Sequence, residues 1–69
     1  MRRILPINAK KIKHYRIIKG MTVIELAEQL KMTRASIYNY EKGIQFPPPK
    51  VLAKISKVLR VKPQDLMGE

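Results

Sequence analysis

The sequence predicts an all-α fold of five short helices, and three observations carry that expectation. Apolar residues recur at helical spacing in successive segments, and no stretch sustains the alternation of a strand. Helix-start and helix-stop residues bracket those segments, with Asn8, Thr22 and Thr33 at starts and Gly20 and Gly43 at ends. The chain has 69 residues, 45% of them hydrophobic, and no cysteine, so it can build one small core of packed helices and staple it with no disulfide.

Residues 1–8 read as a basic arm broken by Pro6, and residues 9–69 as the folded domain. Asn8 can cap a first helix over residues 9–19, which Gly20 ends. Ile12, Tyr15 and Lys19 share one face of it, and Ile17 falls well off that face. Thr22 with Glu25 forms a capping box: the hydroxyl can accept from an amide one turn into the helix, and the carboxylate can reach back. Met21 and Leu26 stand where a hydrophobic staple needs them. The second helix covers residues 23–30, with Val23, Ile24, Leu26, Ala27 and Leu30 on one arc.

Thr33 caps a third helix over residues 34–42, and Met32 with Ile37 repeats the staple. Only Lys31 and Met32 separate the second helix from that cap, so the two helices must cross sharply. At about 100° per residue, Ser36, Ile37 and Tyr40 gather on one side and Arg34, Ala35, Tyr38, Asn39 and Lys42 on the other. Pro47, Pro48 and Pro49 stiffen the loop that follows. Pro49 suits the first turn of a fourth helix over residues 49–59, whose Leu52, Ile55, Val58 and Leu59 oppose Lys50, Lys54 and Lys57. Pro63 opens a last helix over residues 63–67, offering Leu66 and Met67 to a core or to a second subunit.

Fifteen Lys and Arg against five Asp and Glu give a net charge of +10. A field of that sign attracts polyanions, nucleic acid first and an anionic membrane surface second. No apolar run approaches the length of a membrane span, and Ile4–Ile7 is too short and broken for a signal-peptide core, so the cytoplasm is the expected compartment. His14 stands alone without a second His or a carboxylate cluster, so no metal, cofactor or small-molecule ligand is indicated. The few acids are scattered, which speaks against an enzyme.

The polar face of the third helix is the informative feature. Arginine pairs bidentately with guanine and asparagine with adenine in the major groove, and Arg34 and Asn39 fit those roles. Ala35 would let the backbone approach or touch a thymine methyl, and Tyr38 could reach a base or a phosphate. Lys42 and the loop amides up to Gln45 suit phosphates, as do the helix starts at Thr22 and Thr33. The plain alternative is a solvated helix surface. Two capped helices joined by a minimal turn in so basic a chain argue against that alternative.

Residues 12–67 resemble the Cro/repressor-type helix-turn-helix family, the lambda-repressor-like domains. The likeness is carried by Ile12, Tyr15-Arg16, Gly20-Met21-Thr22, Glu25-Leu26-Ala27-Glu28-Gln29-Leu30, Met32-Thr33-Arg34, Ser36-Ile37, Tyr40-Glu41-Lys42-Gly43, Pro47, Leu52, Ile55, Leu59 and Val61. It implies a five-helix bundle and a homodimer on a near-palindromic DNA site. It also implies base reading by Thr33, Arg34, Ala35, Asn39 and Tyr38, and phosphate contacts from Thr22, Ser36, Lys42 and Gln45. Family members often pair a helix-one arginine with the glutamate near the end of the recognition helix, here Arg16 with Glu41, a structural ion pair. Arg2 and Arg3 of the arm are candidates for a minor groove or for phosphates.

The chain departs from the family pattern at three positions. Lys31 stands where the family favours a turn glycine, and a non-glycine at positive φ costs on the order of 1 kcal/mol. Arg60 replaces a similar glycine before the last helix. Val23 stands where the family often has a glutamine that contacts phosphate and braces the recognition helix. The function expected from all of this is a sequence-specific, double-stranded DNA-binding transcriptional regulator, a repressor that reads the major groove with its third helix. The competing reading is a protein-interaction or adaptor module that uses the same fold without reading bases.

Overall fold

The computed structural model describes residues 7–68. Four α-helices follow one another, α1 (Ala9–Ile18), α2 (Val23–Leu30), α3 (Arg34–Lys42) and α4 (Pro49–Leu59), and a four-residue 3-10 turn, Pro63–Leu66, closes the domain. Three helices begin on the caps the sequence predicts. The side chain of Asn8 accepts from the Lys10 amide, Thr22 from the Glu25 amide and Thr33 from the Ser36 amide, each satisfying a donor that has no partner inside its helix. α4 has no side-chain cap. It starts at Pro49, whose missing N–H and fixed φ suit a first helical position.

All four helices end in the same way. A residue in the left-handed region turns the chain, and the next amide donates back to a carbonyl five residues earlier: Met21 to Arg16, Met32 to Ala27, Ile44 to Asn39 and Val61 to Ser56. Glycine takes the left-handed position at Gly20 (φ 72°) and Gly43 (φ 76°), whereas Lys31 (φ 56°) and Arg60 (φ 57°) take it elsewhere. These are the two positions where the family pattern has glycine, so the turn keeps its shape and bears the strain. Lys31→Gly is expected to raise stability by roughly 0.5–1 kcal/mol, the left-handed penalty less glycine's extra unfolded-state entropy. A thermal melt should then show a midpoint several degrees higher.

The core is one cluster built from every element: Ile12 of α1, Leu26, Ala27 and Leu30 of α2, Ile37 and Tyr40 of α3, Leu52, Ile55 and Leu59 of α4, and Leu66 of the closing turn. The staple residues Met21 and Met32 pack against it, as do Val23 and Val61. α3 packs on α1 and α2, whereas α4 packs on α2 and the closing turn.

Some expectations need correction. The last helix is not α-helical over residues 63–67. It is a single 3-10 turn ending at Leu66, because Met67 swings into extended backbone (φ −115°, ψ 167°) to form an isolated antiparallel bridge with Ile7. The Asn8 amide donates to the Leu66 carbonyl at 2.8 Å, and Lys11 Nζ donates to the Met67 carbonyl at 2.8 Å. α1 stops one residue early, with Lys19 as its cap and exposed, so the inner face of α1 is Ile12 with Arg16 rather than Ile12 with Lys19. Ile24 is half exposed, since it sits to the side of the arc formed by Leu26, Ala27 and Leu30. Ile17 is exposed, together with Ile18. Arg2 and Arg3 lie outside the described residues. Among the described residues, no helix is long and apolar enough to cross a membrane.

Candidate nucleic-acid interface

Besides its core contacts through Ile37 and Tyr40, α3 is joined to α1 by an ion pair. Arg16 Nε donates to Glu41 Oε2 at 2.7 Å and Nη2 donates to Glu41 Oε1 at 3.1 Å, a two-point contact. The third guanidinium nitrogen that bonds, Nη1, donates to the Met21 carbonyl at 2.8 Å. Both side chains are nearly buried, at 10% and 6% exposure. One arginine therefore ties together α1, the loop that leads into α2 and the end of α3. The pair also removes the only acid of α3 from the surface, which leaves Arg34 and Lys42 as its exposed charges.

The start of α3 has one side-chain cap, braced by a second hydroxyl. Thr33 Oγ1 accepts from the Ser36 amide at 3.2 Å, and the two hydroxyls lie 3.1 Å apart, one donating to the other. From this anchored end, Arg34 and Ala35 project on the exposed side, Tyr38 is 47% exposed, and Asn39 is half-buried. The Lys42 ammonium lies 6.0 Å from the centre of the Tyr38 ring, at the outer limit for cation–π attraction. The sequence-predicted base-reading set of Thr33, Arg34, Ala35, Tyr38 and Asn39 is thus brought onto one helix and its cap.

Besides Ser36, whose hydroxyl pairs with that of Thr33, two more candidate phosphate residues have internal partners. The Thr22 amide donates to Glu25 Oε1 at 2.9 Å and the Thr22 hydroxyl accepts from the Glu25 amide at 3.1 Å. The chain's own carboxylate therefore occupies the anion position at the start of α2. Gln45 does not simply project into solvent. Its Oε1 accepts from Asn39 Nδ2 at 3.3 Å. The sequence gives no sign of this pairing until α3 is seen to close by folding its chain back on Asn39. Lys42 remains exposed, and Ser36 is half-buried beside Thr33.

The hydrogen bonds from Thr22 hold the Glu25 carboxyl below its usual range. A depressed folded pKa contributes stability that is complete above the ordinary carboxylate pKa and is lost as the pH falls through the depressed value. Glu25→Gln keeps an acceptor for the Thr22 amide but cannot titrate. Urea midpoints followed from neutral to acid pH should fall less steeply for Glu25→Gln than for the unmodified protein.

The fold and this surface define a helix-turn-helix protein: α2 and α3 joined by a minimal turn, with an outward polar face on the second of them. The chain belongs to the helix-turn-helix family, whose model matches residues 12–66. It is 38% identical over 56 residues to an HTH-type transcriptional regulator of Methanocaldococcus jannaschii, covering 81% of this chain and 85% of that one. It is also 36% identical over 53 residues to an HTH-type transcriptional regulatory protein of Aeropyrum pernix, covering 77% of this chain but spanning only 16% of that longer protein. Among solved structures, SinR, a master regulator for biofilm formation determined in complex with DNA, superposes with a TM-score of 0.78 at 34% identity, over 84% of this chain and 94% of that one. The P22 c2 repressor bound to a synthetic operator shares the fold at a TM-score of 0.80 and 21% identity, over 84% of this chain and 88% of that one.

Proposed function

We propose that this protein is a sequence-specific transcriptional regulator, a repressor that occupies its site by placing α3 in the major groove of double-stranded DNA. The observation that carries the reading is the exposed face of α3, cationic and rich in amide and hydroxyl groups, on a helix whose only acid is turned inward to Arg16. Arg34 and Asn39 supply the base contacts, with Thr33, Ala35 and Tyr38 beside them. Lys42, Ser36 and Thr22 supply phosphate contacts that set register. The relatives are named as transcriptional regulators, and SinR, at 34% identity, was determined with DNA bound, which supports the same role here.

The proposal is of a binding protein and not of an enzyme, working in the cytoplasm. It includes a homodimer on a near-palindromic site. Ile44 and Phe46, apolar and more than half exposed in the loop after α3, supply surface of the kind a second copy covers. Selection of preferred duplexes from a random pool tests the whole reading. The expected product is a two-fold symmetric motif with half-sites about one helical turn apart, or a multiple of that spacing. Enrichment of no motif, with equal binding to every duplex, would return the chain to the adaptor reading.

A further inference from the structure

Gln45, in the loop after α3, has a side-chain partner on α3 itself. The Asn39 carbonyl accepts two backbone amides, from Ile44 at 2.9 Å and from Gln45 at 3.2 Å. This closure brings residue 45 back over residue 39, and Gln45 Oε1 then accepts from Asn39 Nδ2 at 3.3 Å. Gly43, at φ 76°, makes the reversal possible. An added methyl there would meet only Ala9 Cβ at 3.7 Å, an ordinary contact, so glycine is required for the turn's shape and not for space.

We infer that Gln45 is a positioning residue that holds the Asn39 amide in place and so sharpens the base preference of Asn39. The inference rests on Asn39 reading a base, as proposed above. An asparagine amide has two N–H donors and one oxygen acceptor, and its two ends can exchange by a half turn about the last side-chain bond. The bond to Gln45 restrains the side chain, and because a glutamine amide donates as well as accepts, an exchange of ends at Asn39 has to carry the Gln45 amide round with it. With Gln45 accepting, the other N–H and the oxygen of Asn39 are left to face outward. That combination complements adenine, which offers N7 as acceptor and its exocyclic amine as donor. The reversed orientation would leave two donors outward and suit the acceptors of guanine instead. Gln45 therefore acts before DNA arrives, by restraining the Asn39 side chain.

The test uses the duplex enriched from a random pool by the unmodified protein and the set of duplexes differing from it at single base pairs. Asn39→Ala locates the base pair at which Asn39 discriminates, a preference of roughly 5- to 150-fold if the contact is bidentate. Gln45→Ala is expected to shrink the preference at that same base pair by about 2- to 12-fold, the cost of freeing one side chain, and to leave preferences elsewhere unchanged. Asn39→Ala with Gln45→Ala should discriminate no worse there than Asn39→Ala alone. Gln45→Glu keeps an acceptor for Nδ2, so it should weaken binding to all duplexes by charge repulsion while retaining adenine. Uniform weakening by Gln45→Ala with a shallower salt dependence would overturn the inference and make Gln45 a phosphate contact. A change of preferred base in Gln45→Glu would overturn the assigned orientation. If Asn39→Ala alters no base preference at all, base reading by Asn39 fails and not merely its positioning. Gln45 is exposed, and thermal melts of its variants check that the fold is kept.

Discussion

Glu41→Ala is expected to cost about 3–5 kcal/mol of folding stability, the typical loss when one partner of a buried ion pair is removed. A domain of this size holds roughly 3–10 kcal/mol in all, so the variant should be marginal or unfolded at room temperature. The size of the effect follows from the surroundings of the pair. Arg16 and Glu41 are each at or below 10% exposure, so a guanidinium stripped of its carboxylate stays behind nearly buried with only the Met21 carbonyl to satisfy it. Replacing both groups is a different matter. Arg16→Met with Glu41→Leu removes the desolvation cost along with the attraction and should lose far less than either single change. Chemical unfolding of the three variants decides it. If Glu41→Ala loses under 1 kcal/mol, as surface pairs do, then the pair does not hold α3 in place.

The second large effect concerns DNA. Arg34→Ala and Asn39→Ala are each expected to weaken binding to the preferred duplex by about 1–3 kcal/mol and to leave binding to scrambled duplexes nearly unchanged. Lys42→Ala should behave in the opposite manner, weakening every duplex alike and reducing the salt slope by about one unit. The contrast arises from what each group can touch. A guanidinium or an amide in the groove meets a pattern of donors and acceptors that differs from one base pair to the next, whereas an ammonium on a phosphate meets the same charge everywhere. Titrations at two salt concentrations with the enriched and the scrambled duplex separate the two behaviours. Equal losses on both duplexes from Arg34→Ala would count against base reading by that residue.

Much of the fold was legible in the residues because local chemistry dictates it. A threonine three residues before a glutamate, a methionine ahead of each of two caps, and a glycine past the end of a periodic run each have a mechanism acting within a few residues. The four α-helices accordingly lie within a residue of their expected bounds. The misses depend on distant partners. Arg16 breaks the apolar pattern of α1, and nothing in α1 itself shows that a carboxylate twenty-five residues on receives it. Only the family resemblance suggested the pair. The closing segment has the composition of a short helix, but Met67 is drawn into pairing with Ile7, sixty residues away. Ile24 looked like core because it is apolar, and its angular position on α2 decides otherwise. At the candidate interface, the residues on α3 were legible from periodicity alone. The coupling of Gln45 to Asn39 was not, since it depends on how the chain doubles back after Gly43.

The pairing of Ile7 with Met67 brings the first and last described stretches of backbone side by side, so residues 7–68 come close to forming a ring. A peptide linker of a few residues could join the two stretches without crossing the body of the protein, and the loop between α3 and α4 offers a place to open the ring elsewhere. In such a rearranged chain α1 would follow the closing turn directly, while α2 and α3 would remain a continuous unit. The order in which the helices are translated is therefore separable from the geometry they adopt.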